Sequence, residues 1–169
     1  MDFGTRKVVR VDPQVAFNWG SSAPATGVSK DAFSIRWEGQ IQPLYSEVYK
    51  FYTVSDDGIR LWVNGKIVVD HWTNHSATEK SGQIPLKAGE KYDIRVDYYE
   101  NTGSAVAKVL WESPSQPKEL VPQSQFYPAE WLGGTQVRLL TSVESPVSPA
   151  WVEGKCSEDA ASIQFSVNG

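Results

Sequence analysis

The chain has 169 residues, with 16 Lys+Arg against 20 Asp+Glu for a net charge of −4. That is length for about one domain with a sizeable core, and its mild acidity lacks the basic stripe of a dedicated nucleic-acid binder. The single cysteine, Cys156, excludes an intrachain disulfide scaffold, and no apolar run reaches the ~18–20 residues that a membrane-spanning helix needs.

Strand signals dominate the chain in order. Residues 8–11 are a β-branched run. Over 33–38, Phe33, Ile35 and Trp37 alternate with Ser34, Arg36 and Glu38, the period of a half-buried strand. Residues 47–54 read as another strand, and a turn or two of helix fits around 29–33. Residues 59–63 and 66–70 flank Asn64-Gly65; Asn-Gly between apolar runs predicts a two-residue hairpin, because its turn needs positive φ at both positions. Residues 79–86 form a weaker strand. Residues 92–99 carry Tyr92, Ile94, Val96 and Tyr98 on one face, and 105–111 are the last strong strand. Residues 114–117 read as a loop, followed by an extended tail to Tyr127-Pro128.

Short strands with turns every 8–12 residues predict an all-β fold, an antiparallel β-sandwich or barrel. Seven Trp, seven Tyr and six Phe suit that class and also suit surfaces that stack on sugars. After Pro128 the texture changes. Gly133-Gly134 reads as a joint, 142–149 as a linker, and 162–169 alternate and end on Asn168-Gly169, a hairpin signal whose partner strand does not follow. The expected division is a β-domain over 1–128, then a short β-rich extension over 129–169: a linker and the start of a second sandwich module, or a tail packed on the first. The start of the chain has no apolar signal segment, so the expected setting is either cytoplasmic or a piece of a longer secreted chain, a choice that these residues leave open.

Ser55-Asp56-Asp57-Gly58 has two readings. One is a plain turn. The other is a hard-cation site such as Ca²⁺, which takes six to eight oxygens. Neighbours on a regular strand point to opposite faces, so Asp56 and Asp57 converge only where the backbone departs from strand geometry, for example through a cis peptide. Residues 100–105 are the best source of further oxygens, with the Asn101 side chain and carbonyls freed by Gly103; their plain reading is a hairpin connection. His71 and His75 stand at i and i+4, but on strand and loop rather than helix, which makes exposed loop histidines the simpler account. Cys156 has no neighbouring histidine. No nucleophilic triad or phosphate loop is visible, and no motif pairs Asp57, Asp70, Glu100 or Glu112 for glycoside hydrolysis. The chain is read as a non-enzyme.

Phe17-Asn18-Trp19-Gly20, residues 33–39, the stretch from Tyr52 through Ser55-Asp56-Asp57-Gly58 to Asn64-Gly65, Lys87-Ala88-Gly89-Glu90, Tyr98-Tyr99-Glu100-Asn101 and Lys108-Val109-Leu110-Trp111 together resemble the protective-antigen-type (PA-fourteen) domain, from about Val8 to Tyr127. The resemblance implies an antiparallel β-sandwich of secreted glycosidases, adhesins, toxins and surface proteins. In lectin members an aspartate pair joined by a cis peptide holds Ca²⁺ with an asparagine and backbone carbonyls, and the ion binds vicinal sugar hydroxyls. Carried over, it implies Asp56, Asp57 and Asn101 as metal ligands, with carbonyls near Gly103 and Ala105. Asp56, Asp57 and Asn101 would then also serve sugar binding, with Trp72 and His75 near the rim. The expected protein is a monomeric calcium-dependent glycan-binding module, extracellular or at the cell surface. Its rivals are a structural spacer and an accessory domain of a secreted glycosidase.

Overall fold

A computed structural model describes residues 3–128 and the strand 163–168. The expected joint at Gly133-Gly134, the linker over 142–149 and Cys156 lie outside the described residues.

The described chain is all-β. Its strands are β1 (Arg6–Asp12), β2 (Ala16–Gly20), β3 (Phe33–Ile41), β4 (Glu47–Asp56), β5 (Ile59–Val63), β6 (Lys66–His71), β7 (Thr78–Leu86), β8 (Tyr92–Glu100), β9 (Ala105–Ser113), β10 (Gln116–Leu120), β11 (Phe126–Tyr127) and β12 (Ile163–Asn168). They form two antiparallel sheets. The first runs β1-β12-β3-β8-β5-β6, with β11 also paired to β3; the second runs β10-β9-β4-β7, with β2 paired to β9.

The period-2 pattern explains the layers. On β3 the side chains of Phe33, Ile35 and Trp37 are fully buried, as are Ile59, Leu61 and Val63 on β5 and Val96 and Tyr98 on β8. From the second sheet Tyr49, Phe51, Ala107 and Trp111 meet them. Each large side chain so buried contributes roughly 1.5–3 kcal/mol. Tyr98 packs between Trp19, Phe33 and Trp37. Trp37 donates through its indole Nε1 to the buried Asp12 carboxylate at 3.0 Å, which joins β1 to the core by a polar contact.

Asn64 and Gly65 take φ of 51° and 70°, and they alone separate β5 from β6. Residues 29–33 form no helix. Ala32 instead sits in the left-handed region at φ 58°, and its N–H donates to the Asn101 carbonyl at 2.9 Å, tying this loop to the one after β8. The predicted loop at 114–117 is overlapped by β10. Pro117 is tolerated there because β10 is an edge strand, where a missing N–H breaks no ladder. Residues 163–168, assigned by sequence to the extension, form β12 between β1 and β3.

Candidate metal and sugar site

The site forms where the chain passes from one sheet to the other. β4 of the second sheet ends at Asp56 and β5 of the first begins at Ile59, so Asp57 and Gly58 make the crossing. The Asp56–Asp57 peptide is cis. Gly58 has no room for a side chain: a Cβ there would lie 2.1 Å from Tyr99 Cε1. Its carbonyl accepts the Tyr99 N–H at 2.9 Å, which sets the corner against the end of β8.

One carboxylate oxygen from each of Asp56, Asp57 and Glu100 lies within 4.8 Å of the others. Asp57 is buried, and both its oxygens are fixed by main chain: Oδ1 accepts the His75 N–H at 2.9 Å and Oδ2 the Asn101 N–H at 2.8 Å. Glu100 is completely buried. Its Oε2 lies 3.3 Å from the Tyr98 hydroxyl, and its Oε1 has no hydrogen-bond partner. The same Tyr98 hydroxyl donates to the Asp56 backbone carbonyl.

Burial pushes the Glu100 carboxyl up to about 7, helped by the charges of Asp57 and Asp56. Burial and then Asp57 also raise Asp56, and burial raises Tyr98. Three gathered carboxylates, one with an orphaned buried oxygen, are costly as bare anions. The donors are all oxygen, which is the chemistry that calcium prefers. These residues therefore fit a hard divalent cation.

The PA14 domain family matches residues 1–125. The chain belongs to the PA14 domain family. It is 51% identical over 130 residues to the anti-sigma-I factor RsgI3 of Acetivibrio thermocellus, a match covering 77% of this chain but 20% of that protein. A solved anti-sigma factor domain-containing protein superimposes with a TM-score of 0.75 at 51% identity, over 76% of this chain and 45% of that one. A PA14 sugar-binding domain from an RTX adhesin shares the fold, with a TM-score of 0.57 at 17% identity, over 72% of this chain and 78% of that one. The chain thus spans a fifth of the length of the RsgI3 relative.

Within this PA14 domain the residues singled out by sequence fall in three positions. Asp56 and Asp57 converge at the carboxylate cluster. Asn101 reaches Asp57 through its main-chain N–H, while its carbonyl takes the Ala32 N–H. Gly103, at φ 114°, donates to Asp31 Oδ1 at 3.2 Å, and the buried Ala105 opens β9 opposite Gly20. Trp72 meets the Tyr99 ring edge-on at 4.7 Å, with the Arg60 guanidinium 4.8 Å from its own ring centre, so its ring packs against protein. His75 stacks on His71 at 3.8 Å; among the described residues the one group of three or more metal-type ligands is the carboxylate trio.

Glu100 and Tyr98 are site residues that the sequence reading does not single out. The signal is present in the alternation. Tyr92, Ile94, Val96 and Tyr98 share the inward phase of β8, and Glu100 continues it. A carboxylate in phase with a core face is a buried acid in search of a partner.

Proposed function

We propose that this PA14 domain is a calcium-dependent carbohydrate-binding module. Asp56, Asp57 and Glu100 would hold the ion, with the Asn101 side chain and carbonyls near Gly103 and Ala105 as further oxygen donors. A bound Ca²⁺ would supply open coordination positions to two adjacent sugar hydroxyls. A vicinal diol suits that role because its two oxygens are already linked, which lowers the entropic cost of replacing two waters. The protein's own part is to hold negative charge in a fixed place: the His75 and Asn101 N–H groups set the Asp57 carboxylate, and burial keeps water from competing at Glu100. Trp72 and His75, on the loop beside the cluster, supply the rim.

The observation that carries this reading is the wholly buried Glu100 carboxylate, with a partnerless Oε1, beside two further carboxylates. A solved adhesin PA14 domain described as sugar-binding shares the fold, which is consistent with it. The 51% identity to an anti-sigma factor over a fifth of its length favours a particular setting: the ligand-receiving domain of a longer extracellular or surface chain, with no catalysis of its own. Isothermal titration with CaCl₂, followed by a glycan array with and without EDTA, tests the proposal. Calcium binding together with chelator-sensitive glycan binding supports it. Calcium binding with no glycan signal favours a structural spacer. Glycan binding unchanged by EDTA points to an aromatic platform instead.

A further inference from the structure

The Glu100 carboxylate ends a flexible side chain, yet a cation site needs it in one place. Among the described residues, the only group that hydrogen-bonds it is the Tyr98 hydroxyl, 3.3 Å from Oε2. That hydroxyl is itself fixed twice. The Tyr98 ring is fully buried, with Trp19 at 5.9 Å, Phe33 at 6.0 Å and Trp37 at 6.4 Å between centroids. The hydroxyl's single proton is shared between the main-chain carbonyl of Asp56 and Glu100 Oε2. One phenol therefore links β8 of the first sheet to the last residue of β4 in the second, and both Glu100 of β8 and Asp56 of β4 contribute a carboxylate to the cluster.

We infer that Tyr98 is a positioning residue of the cation site, whose hydroxyl holds the Glu100 carboxylate against Asp56 and Asp57; this rests on the calcium reading above. The core aromatics supply the rigidity. Pre-ordering a ligand in this way removes part of the ordering cost that binding otherwise carries.

The test is calcium titration calorimetry on the wild type, Tyr98→Phe, Glu100→Gln and the double variant. Tyr98→Phe keeps the ring in its aromatic nest and removes only the hydroxyl, and near-ultraviolet circular dichroism of the surrounding tryptophans checks that packing. The expected result is a loss of calcium affinity of about tenfold or more in Tyr98→Phe, the scale of a hydrogen bond to a charged group. In the Glu100→Gln background the same substitution should change affinity by less than about twofold, because the group it positions has gone. A purely packing role would weaken both backgrounds alike, and that outcome overturns the inference. So does Tyr98→Phe binding calcium as the wild type does. Should Tyr98→Phe not fold, Glu100→Asp draws the carboxylate back from an untouched Tyr98; an affinity equal to wild type there overturns the inference too. A wild type that binds no calcium overturns the calcium reading itself, and so is distinguishable from the other outcomes.

Discussion

Glu100→Gln should make the metal-free protein more stable at pH 8 and less responsive to calcium. Glutamine keeps the shape and the contact with the Tyr98 hydroxyl but removes the charge. In the folded chain the Glu100 carboxyl is pushed from 4.5 to about 7. The folded state therefore binds the proton more tightly than the unfolded chain does. The stabilisation is fully present below pH 4.5 and is lost as pH rises through about 7. At pH 8 the ionised side chain costs about 3 kcal/mol, since each tenfold change in proton affinity is worth about 1.4 kcal/mol. A domain of this size changes its melting temperature by about 2–4 °C per kcal/mol, so Glu100→Gln should melt about 6–12 °C higher in EDTA at pH 8. Differential scanning calorimetry at pH 5 and pH 8 reads this directly. The wild type should lose stability between those values and the variant much less. Added CaCl₂ should invert the order, because the wild type gains more by mass action than the more weakly binding variant does. A variant that melts below the wild type in EDTA at pH 8, or that keeps the full calcium shift, refutes the reasoning.

Asp57→Ala leaves the His75 and Asn101 N–H groups without their acceptor, so it should cost about 2–4 kcal/mol in urea unfolding and abolish the calcium-induced melting shift. Gly82→Ala would place a Cβ 1.9 Å from the Val68 carbonyl oxygen where β7 lies against β6; chemical denaturation should show a loss of about 2–3 kcal/mol with calcium binding unchanged. Asp97→Asn should destabilise by about 2–3 kcal/mol at neutral pH, since Arg36 and Arg95 both converge on this buried carboxylate. Burial alone would raise the Asp97 carboxyl, but the two arginines outweigh it and hold it below 3.8. Its stabilisation is therefore present above pH 3.8 and lost as pH falls further, so the wild type should lose stability more steeply than Asp97→Asn below about pH 4.

What sequence made legible was whatever is local. Alternation is a property of successive residues, so Phe33, Ile35 and Trp37 announce their buried face. The Asn64-Gly65 turn is specified by two φ values. Asp56 and Asp57 stand next to each other and so could be noticed as a pair. Residues 100–105 could be named as a source of oxygens, but the Glu100 carboxylate itself escaped because its importance comes from a crossing: β4 and the corner after it deliver two carboxylates from one sheet, β8 delivers the third from the other, and alternation alone does not say that an inward carboxylate meets the other two. The predicted turn around 29–33 failed for a related reason. Ala32 is governed by the carbonyl of Asn101, far away in sequence, and a tertiary hydrogen bond outweighs a weak local helix preference. β10 was missed because two prolines read as a loop, although an edge strand accepts Pro117 at no cost to its ladder.

The place of β12 has a consequence for how the chain becomes a sheet. Among the described residues, β1 has one strand partner, β12, with Asp12 opposite Ile163 and Arg10 opposite Phe165. During synthesis the first strand leaves the ribosome long before that partner exists. Loop closure across some 150 residues carries an entropic cost that local hairpins such as β5–β6 do not face. Such high contact order slows folding, so β1 and the outer part of the first sheet should be completed late, after the cation-site corner has formed. Until then the backbone edge of β3 that later receives β12 is open to any extended segment that reaches it. A chain cut after Tyr127 would keep every residue of the carboxylate cluster and yet leave that edge without its partner.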